Sequence, residues 1–204
     1  MDRDAQLLQA WRDGDASAGE RLFDRHFVAL SRFFRNKVRD GVDDLIQATF
    51  LGLMETRDRY RGQGSFRSYV FGVAFNVLRN HYRDARRDAD RIDPAVTSMF
   101  DLAPGASSVI AARDEQRLLL EALRHIPLEH QALLELYFWE PLTAPEIATA
   151  LGLPEGTVRT RIRRGKGLLR EEMERLSENR SLIESTLSNL DDWARSVKDL
   201  AGVA

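Results

Sequence analysis

The chain has 204 residues, of which 43% are hydrophobic and 30% charged, and a formal net charge of −2. That composition describes a folded protein with one ordinary domain or two small ones, and it excludes a uniformly basic surface. There is no cysteine, so disulfides, thiolate metal sites and thiol redox chemistry within this chain are excluded.

The first residues, MDRDAQLLQAW, carry acidic groups and no apolar run of signal-peptide length. No run reaches the length that spans a bilayer, so a cytoplasmic protein without membrane insertion is expected. The four histidines, His26, His81, His125 and His130, show no ligand spacing, and no phosphate loop or nucleophile elbow is present. Neither an enzyme, a metal, a cofactor nor a small-molecule substrate is expected.

In chain order the signals are helical. From Glu20 to Val38, Phe23, Phe27, Leu30, Phe34 and Val38 recur at helical steps and are expected to form one buried stripe. Asp43 to Arg57 forms a second helix, with Val42 as hydrophobic lead-in and Asp43 as N-cap. Ile46, Thr49, Phe50 and Leu53 point inward; Asp44, Gln47, Ala48, Leu51 and Glu55 share the opposite face. The stretch YRGQGSFRSY, Tyr60 to Tyr69, holds a glycine-marked turn, with Ser65 capping a long helix from Phe66. That helix begins apolar on much of its circumference, as a bundle interior requires. It ends basic, with Arg79, Arg83, Arg86 and Arg87.

Residues 88–108 contain two prolines, several aspartates and no periodicity, which reads as an extended linker and hence as two domains. Its acidic residues suit either a solvated tether or a mimic of nucleic acid. Two helices follow, Arg113 to His125 and Leu128 to Trp139. Thr143 then caps a short helix to Leu151, Gly152 closes it, and Pro154 and Glu155 open the next. Two helices across so short a turn have the geometry of a DNA-binding helix-turn-helix.

PEGTVRTRIRRGKGLLR, Pro154 to Arg170, concentrates six positive charges. On a helical wheel Val158, Ile162, Gly165 and Leu169 fall in one sector, and Arg159, Arg163, Lys166 and Arg170 line the next. Thr160 and Arg164 lie further round. One face packs while the other meets phosphate and base edges. Arg161 falls near the apolar sector and is given a structural or phosphate role. Residues 181–201 form a further amphipathic helix including Trp193. Its stripe folds back on this chain or binds another protein.

PEIATALGLPEGTVRTRIRRGKGLLR resembles region 4 of bacterial extracytoplasmic-function (ECF) sigma factors. DDLIQATFLGL resembles their region 2.2, and GSFRSYVFGVAFNVLRNHYR their regions 2.3 and 2.4. The three occur in family order with a linker between. The resemblance implies an all-α protein: region 2 over residues 1–88, a flexible linker over 89–112, region 4 over 113–176 and a helical extension over 177–204.

It further implies that the chain binds RNA polymerase core, through the β′ clamp helices and the β flap, and directs it to promoter DNA. An anti-sigma factor is an expected partner, and it or the polymerase is the protein that the apolar stripe over 181–201 would bind if it does not fold back on this chain. Asp44, Gln47, Leu51 and Glu55 would contact core. Arg61, Gln63, Ser65, Tyr69, Arg79, Asn80, Arg83, Arg86 and Arg87 would contact the −10 element. Thr157, Arg159, Thr160, Arg163, Arg164 and Lys166 would contact the −35 element. The chain departs from the family at Phe75, where a basic residue is usual, which implies a more buried helix face there. A stand-alone helix-turn-helix regulator is the alternative, and it leaves the first ninety or so residues unexplained. An enzyme with Asp43, Asp44 and Glu55 as metal ligands is a third class, with no other polar motif converging on it.

Overall fold

The computed structural model of the protein describes residues 3–85, 98 and 114–190. Among these the regular structure is helical, with one isolated bridge between Ser98 and Pro127. Apart from Ser98, the expected linker lies outside the described residues, as do Arg86, Arg87 and Trp193. No helix among those described is long and apolar enough to cross a membrane.

The N-terminal half consists of α1 (Arg3–Arg12), α2 (Ala16–Arg35), α3 (Val42–Thr56), a 3-10 turn (Arg57–Arg59) and α4 (Phe66–Ala85). α1 had no counterpart among the sequence expectations. It is fixed to α2 by Asp4, which accepts from Arg25 Nε at 2.7 Å and meets His26 Nε2 at 2.8 Å. Trp11 lies over Gly19, where an added Cβ would come within 2.7 Å of the indole, so only glycine lets the two helices close.

α2 starts earlier than the apolar period suggests, because Asp15 accepts a hydrogen bond from Ala18 N at 3.2 Å and caps it. Its buried side is built around Leu22, Leu30, Phe33 and Phe34, which pack with Phe66, Phe71 and Leu78. The expected stripe is therefore half right: Leu30, Phe34 and Val38 are buried, Phe23 is partly so, and Phe27 faces solvent. α3 also corrects an expectation. Its N-cap is Gly41, in a left-handed conformation at φ 79°, and both Val42 and Asp43 are already helical. Ser65 does cap α4, accepting from Ser68 N at 3.2 Å. Phe75 is buried, as its departure from the family pattern implied.

The C-terminal half consists of α5 (Asp114–His125), α6 (Leu128–Phe138), α7 (Ala144–Leu151), α8 (Glu155–Leu176) and α9 (Arg180–Ser188). α8 packs along both α5 and α6. Gly165 makes this close approach possible: a Cβ there would sit 3.3 Å from Leu134 Cγ and 3.4 Å from His130. α9 folds back on α5 and α8, burying Ile183 and Thr186, with Leu190 buried just beyond.

The halves meet where α7 lies on α4. A Cβ at Gly72 would come within 2.5 Å of the Ala150 carbonyl oxygen, so the two helix backbones are in direct contact. Charged groups complete the junction. Lys37 pairs with Glu135, and both are fully buried. Glu140 receives Arg32 on one oxygen and Arg67 on the other. Gln131 Nε2 donates to the Asn36 carbonyl at 3.4 Å and to Glu135 Oε1 at 3.0 Å.

Candidate protein and nucleic-acid interfaces

The outer face of α3 is exposed at Asp44, Gln47, Ala48, Leu51 and Glu55, as its helical period requires. The structure turns the single exposed leucine into a patch: Leu51 (51%), Met54 (50%) and Phe27 (46%) are all solvent-accessible. Phe27, Ile46, Gln47, Phe50, Leu51 and Met54 line a shallow depression with Asp43 at its edge. Large exposed apolar groups beside carboxylates mark a protein-binding surface. Met54 stands one helical turn beyond Leu51 and was legible in principle. Phe27 was not, because its neighbours on α3 are set by the packing of α2 against α3.

The turn between α3 and α4 is held open by backbone geometry. Gly62 and Gly64 both take left-handed conformations, φ 74° and 77°. Tyr60 spans the turn, its hydroxyl donating to the Gly64 carbonyl at 2.7 Å. From below, Arg12 of α1 donates to the Arg57 carbonyl at 3.1 Å and to the Tyr60 carbonyl at 2.6 Å. Arg61 and Gln63 project into solvent from this frame. Ser65 is half-buried and engaged in capping α4. Tyr69 is also half-buried: its hydroxyl reaches the Thr56 carbonyl at 3.0 Å and Thr56 Oγ1 at 2.5 Å, and its ring lies 5.1 Å from Tyr60. Tyr69 thus braces the turn. Arg79, Asn80 and Arg83 are exposed further along α4. At the helical rise, Arg79 lies roughly 20 Å along the axis from Phe66, so the turn and the basic end are two separate surfaces.

In the helix-turn-helix, Thr143 and Glu146 form a full capping box: Thr143 N donates to Glu146 Oε2 at 2.9 Å and Glu146 N to Thr143 Oγ1 at 3.4 Å. Gly152 ends α7 in a left-handed conformation, φ 66°, and Pro154 caps α8. Val158, Ile162, Gly165 and Leu169 are buried in one line, as the wheel requires. Arg159, Thr160, Arg163, Arg164 and Lys166 are exposed, and Thr157 is half-buried.

Three of these side chains already have intramolecular partners. Arg159 donates to Glu155 at 2.8 Å and 2.6 Å, Thr160 Oγ1 to the Gly156 carbonyl at 2.9 Å, and Lys166 Nζ stands 4.6 Å from the Phe138 ring centroid. Arg161 pairs with Glu129 of α6, which fits the structural one of the two roles, structural or phosphate, given to it. His130 Nδ1 meets the Arg161 carbonyl at 3.0 Å. Burial works against the charged form of this imidazole, and its pKa is lowered despite that contact. Among the described residues no cluster of His, Asp or Glu suits a metal ion.

Sequence reasoning missed Arg12, which fixes the turn, and the five charged groups at the junction of the halves. All act across long sequence separations, for which a single chain carries no periodic signal.

The family model of sigma-70 region 2 matches residues 22–88, and that of sigma-70 region 4 matches residues 116–169. RNA polymerase sigma factor CarQ of Myxococcus xanthus is 34% identical over 168 residues, covering 80% of this chain and 94% of that protein. The ECF RNA polymerase sigma factor SigM of Mycobacterium tuberculosis is 29% identical, covering 81% and 82%. Among solved structures, CnrH in complex with the cytosolic domain of CnrY superposes with a TM-score of 0.63 at 23% identity, covering 86% of this chain and all of that one, a likeness of fold. The chain belongs to the ECF family of RNA polymerase sigma factors.

Proposed function

We propose that this chain binds RNA polymerase core through the Leu51 face of α3 and directs it to promoters. The turn over 60–65 reads the single-stranded −10 element, and α8 reads the −35 duplex. One observation carries this reading: the apolar patch, the glycine-framed turn with Arg61 and Gln63, and the exposed arginine face of α8 are three distinct surfaces on one chain, in the family's order. Each has the chemistry its role demands: an apolar anchor with a polar rim for protein, cations and amides for a single strand, and an arginine-bearing recognition helix for the major groove.

The basic end of α4, with Arg79, Asn80 and Arg83, grips backbone at the upstream edge of the bubble. The domain boundaries proposed are residues 1–88 and 113–176, with an extension from 177. The β′ clamp helices, the β flap and an anti-sigma protein are the proposed protein partners. The test is in vitro transcription with core polymerase and start-site mapping. Core alone should be silent at the mapped promoters, and the chain should make it initiate there. Initiation unaffected by adding the chain would overturn the proposal. So would tight, sequence-specific duplex binding without core, the behaviour of a stand-alone regulator.

A further inference from the structure

We propose that Arg170 is a further duplex-contacting residue of α8 and that Glu184, on the C-terminal extension, holds it back. The extension thereby weakens the grip of the recognition helix on DNA phosphates. The inference rests on the assignment of α8 to duplex DNA.

Arg170 has the position for such a contact. It ends the basic row of α8: Arg159, Arg163, Lys166 and Arg170 share one sector of the helix, and all four are exposed. Arg159 and Arg170 stand roughly 16 Å apart along the helix axis. The major groove is about 12 Å wide, so a row that begins among base edges ends at the phosphates flanking the groove. A guanidinium there carries no sequence information but clamps the helix to the backbone. Beyond Arg170 the helix turns acidic, with Glu171, Glu172 and Glu174 following.

The group that holds Arg170 comes from a different element. Arg170 Nη1 donates to Glu184 of α9 at 2.7 Å, and Glu174, one turn further along α8, stands 3.8 Å from the same nitrogen. α9 is firmly seated. Asn179 caps it, accepting from Leu182 N at 3.1 Å, and Ile183 and Thr186 are buried. With those two side chains pinned inward, Glu184 is presented outward beside Arg170. Glu174, Glu178 and Glu184 line one shallow depression between the two helices. A carboxylate offers a guanidinium the same charge-assisted hydrogen bonds as a phosphate oxygen, so the two compete for Arg170. The match to sigma-70 region 4 ends at residue 169, so Arg170 and α9 both lie beyond it.

The pair is not needed to hold α9. Both side chains are exposed, and an exposed ion pair adds very little to a fold that Ile183 and Thr186 already secure. Its effect falls on DNA instead. A phosphate must displace Glu184 to gain Arg170, and the displaced carboxylate then stands beside a backbone of its own sign. The contact lies wholly within the C-terminal half, so it acts in the holoenzyme and does not depend on how the halves meet.

The test uses holoenzyme assembled from the full chain and core polymerase. The probe is a promoter duplex cut short before the −10 element, so that no strand opening contributes. Glu184→Gln removes the charge and keeps the shape of an exposed side chain. Binding should tighten roughly threefold, alike for all −35 variants. The slope of log affinity against log salt should steepen by about 0.9, the value of one added phosphate contact. The unfolding midpoint and the recovery of core should stay at their wild-type values, which separates this role from a structural one. Adding Arg170→Gln should abolish the steepening.

An unchanged affinity and slope in Glu184→Gln would overturn the proposal. So would a steepening that survives Arg170→Gln, because the added contact would then belong to another residue. Arg163→Ala with Arg164→Ala tests the underlying assignment. If that pair of changes leaves binding and slope unaltered, α8 does not meet the duplex and both readings fall. If it weakens binding while Glu184→Gln has no effect, the assignment of α8 stands and the role of Glu184 fails.

Discussion

Lys37 and Glu135 illustrate how a single residue pair sets terms for the whole chain. Burial disfavours both charges, leaving the lysine pKa lowered and the glutamate pKa raised, and each partner's charge and hydrogen bond offset only part of that shift. Lys37 also donates to the Phe33 carbonyl at 2.8 Å and sits 4.0 Å from the Phe33 ring centroid. Removing one partner leaves the other buried and uncompensated. Lys37→Met should therefore cost about 3–5 kcal/mol in urea unfolding, whereas the double change Lys37→Met with Glu135→Leu should recover most of that loss.

His26 gives a pH-dependent counterpart. Burial lowers its pKa below the ordinary 6.5, although Asp4 beside it pulls upward. The folded protein thus binds this proton less readily than the unfolded chain. Stability is full above pH 6.5 and declines as pH falls through the lowered folded value. His130 shifts in the same direction. The fall in melting temperature on acidification should be smaller in His26→Gln than in the wild type. None of this was legible from the sequence, because a histidine in a helical run carries no sign of which carboxylate lies across from it.

At the level of elements, the sequence was informative where the code is local. Thr143, Gly152, Pro154 and Glu155 mark the helix-turn-helix in the sequence, and the structure reproduces both its helix starts and its buried line. Thr143→Ala should lower the thermal stability of the C-terminal half by about 1 kcal/mol through loss of the capping box. Gly165→Leu should cost about 1–3 kcal/mol, because Leu134 and His130 leave no room for a side chain.

On the exposed side of α8, Arg159 must leave Glu155 before it can reach DNA. If it then contacts a base, Arg159→Ala should lose about 1–3 kcal/mol at one −35 position only. If it contacts phosphate, affinity should fall alike for all sequences and the salt dependence should flatten. Promoter binding by holoenzyme across −35 variants and salt concentrations checks this. Helix starts were less legible. α2 begins at a cap before its first apolar residue, and α3 begins at a left-handed glycine where an aspartate cap was expected. In both cases the apolar period locates the buried face and not the end.

At the scale of the molecule, order along the chain was readable and spatial arrangement was not. Two helical bundles and a DNA-binding helix followed from periodicity and turn residues. How the two halves sit together depends on contacts between residues about a hundred positions apart, such as Lys37 with Glu135 and Arg32 with Glu140. The C-terminal extension had three possible destinations from sequence. Its described part, α9, lies on α5 and α8, tied by Arg170 Nη1 donating to Glu184 at 2.7 Å. Deleting residues 180–204 should lower the unfolding midpoint of the C-terminal half, since Ile183 alone accounts for roughly 2 kcal/mol of buried side chain. Gln47→Ala with Leu51→Ala should leave that midpoint intact and weaken recovery of core polymerase in a pull-down, because both side chains face solvent.

The grip of Arg12 on the Arg57 and Tyr60 carbonyls bears on how this promoter reader could be re-engineered. If residues 60–65 read the −10 element as proposed, a transplant of them into another sigma factor would move the letters of the recognition code without the clasp that sets their posture. The portable module is discontinuous: the loop and the first helix, some fifty residues apart in the chain, form one unit. A swap carrying both should transfer promoter preference, and one carrying the loop alone should blur it.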